Sequence, residues 1–314
     1  MSMKEAVQDY LAARRSLGYA LAIEGEELRR FAEYADNIGH TGPMTSDLAV
    51  RWARLPAQAD PLYWARRLDM VRRFAQHQVL LEPGTEVPPR GLLGPAYRRP
   101  TPHIYANEEI AALIKAAGRL GPTGGLRPHT YQTLFGLLAC TGLRISEALR
   151  LERRDVDLDA GTIVVLKSKF RKSRQIPIHA SVVRALSAYQ LRRNQYLPCA
   201  TDLHFFLTEK GTSLKWQRTH TTFSRIREEL GWARRALRPR IHDLRHTFAV
   251  RTLLRWYQEG APIGNRIAYL STYLGHVKVS DTYWYFSAVP ELMMAAAGRF
   301  EAHTSERQPE VGRI

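Results

Sequence analysis

His242-Asp243-Leu244-Arg245-His246-Thr247 is the stretch on which the reading of this 314-residue chain turns. On a helix, His242 and Arg245 share one face and Asp243 and His246 the adjacent one. Histidine exchanges a proton near neutral pH, and the planar fork of arginine matches two oxygens of a phosphate. The pair therefore points to a phosphate-bearing ligand. A metal is the competing reading, because His242 and His246 stand one helical turn apart. Their company, however, is Arg245 and Lys169 rather than acids, and a cation-rich pocket suits a phosphodiester better than a metal ion. The expectation is no metal and no cofactor.

Moving outward, four further segments offer groups of the same kind. Leu274-Gly275-His276 puts a histidine just past a helix that ends at glycine. Asp281-Thr282-Tyr283-Trp284-Tyr285-Phe286 then supplies two tyrosines. Upstream, Cys140-Thr141-Gly142-Leu143-Arg144-Ile145-Ser146-Glu147 sets an arginine at the start of a helix after a Thr-Gly turn. Alone, that arginine would read as solvated or paired with a glutamate. Between these lie Gly161–Leu166 and Gln175–Ile178, apolar and β-branched enough to be two strands of a hairpin. Its tip would carry Lys167, Lys169, Arg171, Lys172 and Arg174, five cations in eight residues. These repel one another unless a polyanion lies near, so Lys167, Arg171, Lys172 and Arg174 are read as contacts to a nucleic-acid backbone, with a solvated turn as the bland alternative.

Phosphodiester exchange without a metal has definite requirements. A nucleophile attacks phosphorus, the growing charge on two non-bridging oxygens is offset, and the leaving oxygen takes a proton. Two arginines, a lysine, histidines and a hydroxyl nucleophile satisfy them. Tyrosine is apt because its phenolate leaves more readily than an alkoxide, so the covalent step can run backwards.

Composition agrees with such a partner. The net charge is +16 and the pI about 10.1, a balance typical of chains that meet nucleic acid. Residues 1–100 hold 14 Lys and Arg against 12 Asp and Glu, leaving 32 against 18 for residues 101–314. The excess sits in the second part. Hydrophobic residues make up 45%, enough for a real core, yet no apolar run has the roughly 18 residues of a membrane span. The N-terminus lacks the apolar stretch of a secretory signal. The two cysteines, Cys140 and Cys199, have no metal-ligand spacing, and a cytoplasmic, nucleoid-associated location is expected.

Periodicity divides the chain. Residues 1–81 read as four helices, with stripes through Val7, Tyr10, Leu11 and Leu17, through Leu28, Phe31, Ala32 and Ala35, through Leu48, Val50 and Trp52, and through Trp64, Leu68, Val71 and Phe74. Thr45 and Ser46 are candidate caps for the third. Residues 82–103 are rich in Pro and Gly and read as an extended linker. Helical patterning resumes at Asn107, a candidate cap, and continues around 180–194, 217–230, 242–258 and 264–274. The fold class is mainly α with a small β-sheet. The tail, 303–314, is expected to be disordered.

Taken together, TGLRISE at 141–147, KSKFRKSRQIPI at 167–178, HDLRHTFA at 242–249, LGH at 274–276 and Tyr285 resemble the tyrosine recombinase (phage integrase) family. Each motif alone is weak; five in order, over roughly residues 104–300, are specific. The resemblance implies a helical core-binding domain at 1–81 and a mixed α/β catalytic domain at 104–302, forming a C-shaped clamp on DNA. It implies that Arg144 and Arg245 bind the scissile phosphate, that Lys169 protonates the leaving 5′-oxygen, and that His242 moves a proton with the tyrosine. His276 would hydrogen-bond the phosphate, and Tyr285 would become the 3′-phosphotyrosine. Lys167 and Lys172 remain alternatives to Lys169, and Tyr283 is the rival nucleophile. The apolar stretch Val289–Ala297 would be an exchange helix, docking on a neighbouring protomer in a homo-oligomer, the synaptic tetramer on double-stranded DNA. Other recombinases are further expected partners, and a membrane is not. The hairpin and the TYWYFSAVPELM segment are more similar to recombinases of transposons and other mobile elements than to chromosome-dimer resolvases. The alternative reading is a catalytically silent DNA-binding accessory protein of a recombination complex.

Overall fold

Ser2 and Glu5 start the chain's first helix by capping each other's amides, at 3.2 and 2.8 Å, which satisfies two donors that a helix start would otherwise leave open. The computed structural model describes residues 2–98, 100–166, 173–235, 238–288, 290–294 and 297–298. Two units divide the chain, Met1–Pro100 and Thr101–Ile314.

The first unit holds α1 (Met3–Ser16), α2 (Ala22–Asn37), α3 (Ser46–Arg54) and α4 (Pro61–Gln78). Thr45 caps α3 through the Leu48 amide, and Asp60 with Pro61 opens α4. Val7, Leu28, Phe31, Leu48, Trp52, Val71 and Phe74 close the core. Leu17, expected on the buried stripe, instead follows the last turn of α1 and is 70% exposed. Beyond α4, the Pro- and Gly-rich residues fold back on this bundle rather than standing clear of it. The Glu86 amide donates to the Met44 carbonyl, the Glu86 carboxylate accepts from the Ser46 amide, and Val87 and Leu93 pack on the core.

The second unit begins with α5 (Asn107–Ala117). Asn107 is its first helical residue, and Glu109 supplies the capping oxygen to the Ala106 amide at 2.9 Å. Then come α6 (Leu126–Thr141), the short turn α7 (Ile145–Ala148), strands β1 (Val156–Asp157), β2 (Thr162–Val165) and β3 (Arg174–Pro177), and α8 (Ala180–Tyr196). The remaining helices are α9 (Trp216–Glu229), α10 (Ile241–Gln258), α11 (Ile263–Leu274) and α12 (Ser280–Ala288). The sheet is antiparallel in the order β1-β2-β3, with Ile163 opposite Ile176 and Val165 opposite Arg174. Ile163, Val165 and Ile176 point into a core built around α6, as the alternation along a half-buried strand requires. A second apolar cluster joins α10, α11 and α12. The molecule is mainly helical with one small sheet. No helix among the described residues is long and apolar enough to cross a membrane.

Candidate active site

Two helices end at glycines in the left-handed conformation, α6 at Gly142 (φ +62°) and α11 at Gly275 (φ +68°). Their terminal carbonyls, left without helical partners, hold the two arginines singled out in the sequence. Arg245 donates to the Gly142 carbonyl at 2.8 Å and the Leu274 carbonyl at 2.7 Å. Arg144 donates to the Gly275 carbonyl at 2.9 Å. The negative ends of the helix dipoles thus face the guanidinium groups. Arg245 is only 2% exposed. Burial, with the nearby Arg144 charge second, pushes its pKa down to about 10. It stays protonated at neutral pH, a desolvated cation whose charge a nearby anion would favour.

Glu147 is the hub that sequence reasoning missed. Its carboxylate, 1% exposed, accepts from the Arg144 guanidinium at 2.8 Å, the Arg144 amide at 3.0 Å, and Arg174 at 3.1 and 2.9 Å. Burial alone would raise its pKa; the hydrogen bonds and charges of Arg174 and Arg144 outweigh that and hold it at about 2. The signal was available, since Glu147 stands three residues after the helix-start residue Arg144, the spacing of a capping box. Two arginines on one carboxylate, with Arg245 close by, leave a net positive, preorganised pocket suited to a developing phosphate charge.

The hairpin contributes unevenly. Lys167, Lys169, Arg171 and Lys172 lie outside the described residues. Arg174, expected on the DNA side, is 11% exposed and directs its side chain inward to Glu147 and to the Tyr273 carbonyl.

On the other wall, α10 starts with Asp243 folding back onto the Arg240 amide and side chain. His242 is exposed on its first turn, its ring edge-on to His246 at 4.7 Å between centroids. The two tyrosines of α12 separate cleanly: Tyr283 is 51% exposed and Tyr285 2%. The Tyr285 hydroxyl and His246 Nδ1 share a hydrogen bond of 3.1 Å. The His276 ring lies nearly parallel to Tyr285, with Nδ1 on the Thr282 hydroxyl at 2.7 Å. His246 is thus a contact of the candidate nucleophile that the sequence reading noticed without giving it a role. Arg144, Arg245, His242, His276 and Tyr285 all converge on one region of the second unit. Among the described residues no three His, Cys, Asp or Glu side chains are grouped to hold a metal ion. Past α12, Leu292 is buried in the cluster that contains Tyr285, while Met293 and Met294 are exposed.

The chain is similar to known proteins in sequence and in fold. The family model described as the phage integrase family matches residues 105–291. The integrase/recombinase y4rB of Sinorhizobium fredii is 39% identical, over 98% of this chain and 99% of its own. A tyrosine recombinase XerD of Caulobacter vibrioides is 29% identical over 81% of this chain and 77% of its own. Among solved structures, the Tn1549 transposon integrase in complex with transposon right end DNA superposes with a TM-score of 0.69, at 15% identity over 95% of this chain and 99% of that one. The XerH recombinase in its post-cleavage complex gives 0.64, at 17% identity over 88% and 79%. Both share the fold. With a match over more than half its length and a close relative over nearly all of it, this chain belongs to the phage integrase family, the tyrosine recombinases.

Proposed function

We propose that this chain cuts and rejoins DNA at a specific site through a 3′-phosphotyrosine intermediate, in the integration, excision or transposition of a mobile element. The Tyr285 hydroxyl attacks the scissile phosphorus, the bond from phosphorus to the 5′-oxygen breaks, and that oxygen takes a proton from Lys169. His242 accepts the phenolic proton. Arg144 and Arg245 offset the charge on the non-bridging oxygens, and His276 hydrogen-bonds one of them. A 5′-hydroxyl of the partner strand then attacks the phosphotyrosine and returns the phenol. The bond energy is kept in the covalent link, so no nucleotide cofactor is required. Lys167, Arg171 and Lys172 would hold the DNA backbone, and Val289–Ala297 would join protomers into a synaptic tetramer.

The observation that carries this reading is the inward Tyr285, hydrogen-bonded to His246 and lying within electrostatic reach of Arg245. Support for a recombination role comes from the similarity to y4rB over nearly the whole chain, and the Tn1549 transposon integrase shares the fold. The test is a nicked duplex bearing the end sequence that flanks the gene, on which cleavage traps the protein. Wild type should give a covalent adduct on a denaturing gel, and Tyr285→Phe none. An adduct lost with Tyr283→Phe and kept with Tyr285→Phe would move the nucleophile. Tight binding with no adduct would favour the accessory reading.

A further inference from the structure

We propose that Thr282 is a positioning residue for the phosphate contact: its hydroxyl donates to His276 Nδ1 and keeps the ring proton on Nε2, the nitrogen that then donates to a phosphate oxygen. The proposal rests on the reading that His276 hydrogen-bonds the scissile phosphate.

Thr130, Thr141, Thr247 and Thr252 turn their hydroxyls back on their own helices, each donating to the carbonyl four residues earlier. That is the usual local outlet for a helical threonine. Thr282 does otherwise. It lies in the first turn of α12, fully buried, and its hydroxyl meets His276 Nδ1 at 2.7 Å, in the loop that joins α11 to α12.

The direction of that bond decides what His276 can do. A neutral imidazole carries one N–H and one bare nitrogen, and the partner of one nitrogen sets the state of the other. If the hydroxyl accepted from Nδ1, Nε2 would be a bare acceptor, of no use to a phosphate oxygen that also accepts. If the hydroxyl donates, Nε2 carries the proton and meets the phosphate as a donor. Only the second arrangement serves the role assigned to His276.

The backbone already holds His276 beside the phosphate-binding arginines. The Gly275 carbonyl accepts from Arg144 and the Leu274 carbonyl from Arg245, while the His276 amide donates to the Ser271 carbonyl at 2.9 Å. The main chain therefore fixes where the ring starts, and Thr282 fixes which way it faces and which nitrogen is protonated. Tyr285 stands one turn further along α12 on the same face, its ring nearly parallel to that of His276. One helix thus carries the nucleophile and sets the phosphate donor.

The test uses the full-length chain as wild type, Thr282→Ser, Thr282→Val, His276→Ala and the Thr282→Val, His276→Ala double variant. Single-turnover cleavage of the nicked duplex is measured, with thermal melts and DNA affinity for each. His276→Ala removes a donor to developing charge and should slow cleavage on the order of 100-fold. Thr282→Val keeps the shape but loses the hydroxyl, and should slow it on the order of 10-fold, the rate equivalent of one hydrogen bond. If the valine variant does not fold, Thr282→Ala takes its place throughout. Thr282→Ser, which keeps the hydroxyl, should recover most of that loss. The double variant should be no slower than His276→Ala, because Thr282 acts only through that ring.

NMR of protein labelled at its histidine ring nitrogens, at a pH well above the ordinary histidine pKa, gives a readout apart from activity. The signal missing from His276→Ala belongs to His276. Its proton should sit on Nε2 in wild type and Thr282→Ser, and on both nitrogens in mixture in Thr282→Val. A proton on Nδ1 in wild type would overturn the proposal, as would a double variant slowed by the product of the two single effects. If His276→Ala cleaves at the wild-type rate, the phosphate-binding reading of His276 fails and the proposal with it. If His276→Ala is slow and Thr282→Val is not, only the proposal fails.

Discussion

Glu147 concentrates the electrostatics of the site in one buried carboxylate. Its pKa near 2 lies below the ordinary value of about 4.3 for a glutamate. A carboxyl depressed on folding stabilises the native state above its unfolded pKa, and that contribution is lost as pH falls from about 4.3 to about 2. The size is on the order of 3 kcal/mol at neutral pH. Glu147→Gln should accordingly lower stability by about that amount in urea melts at pH 7, and its stability should fall less steeply than wild type between pH 4 and pH 2.5. Parallel acid limbs for the two proteins would mean that Glu147 does not carry the ion-pair load assigned to it. The same residue explains why Arg245 can be kept buried and charged: the Glu147 charge is one of the influences that favour its protonated form. Arg144, Arg245 and their brace Glu147 are therefore one coupled unit, and substitutions within it should not add.

The helix ends of α6 and α11 set where those arginines can be. Both glycines have positive φ, so alanine at either position meets strain of about 1–2 kcal/mol. Their surroundings differ. A Cβ at Gly142 would fall 2.6 Å from a ring carbon of Phe248, which is stacked on Tyr273, whereas at Gly275 it meets the movable end of Arg174. Gly142→Ala should thus lose clearly more stability, about 3 kcal/mol, together with cleavage. Gly275→Ala should lose less, the strain energy together with part of the Arg174–Glu147 pairing, and should cleave slowly because Arg174 is displaced. Melting curves and cleavage rates on the same preparations check this, and equal stability losses would refute it. The elements themselves were largely legible in the sequence. Helices α8 to α11 follow their apolar periodicity, and the β2–β3 pair follows its β-branched run. The two-residue β1 carries too short a pattern to be read. Tyr285 was picked by its distance from His276, but which tyrosine faces inward depends on how α12 packs on α10. Arg174 sat in a run of cations that reads as a DNA-facing surface; the partner it has in the structure, Glu147, lies 27 residues earlier and is brought to it only by the fold.

Across the whole chain, the two units handle charge differently. In the first, much of the positive charge is neutralised one helical turn away, as in Arg29 with Glu26, Arg51 with Asp47 and Arg73 with Asp69. The second pairs cations too, as in Arg119 with Glu229 and Arg240 with Asp243, but its larger excess of Lys and Arg leaves some of them clustered. Lys215 and Arg218 are exposed at the start of α9, lining one depression with Arg127, Lys210 and Arg225. Such a cluster makes sense beside a polyanion and is costly without one. If it meets the DNA backbone, each cation that neutralises a phosphate adds about 0.9 to the slope of log affinity against log salt. Replacing both Lys215 and Arg218 by Gln should flatten that slope by nearly 2, while leaving the sequence preference intact, since backbone contacts carry no base information. Arg51→Gln, which removes a cation already paired with Asp47, should leave the slope unchanged. Affinities measured by fluorescence anisotropy from 50 to 300 mM salt separate the two cases. Equal flattening by the two changes would show that net charge alone governs binding, and that the arrangement of cations on the second unit does not.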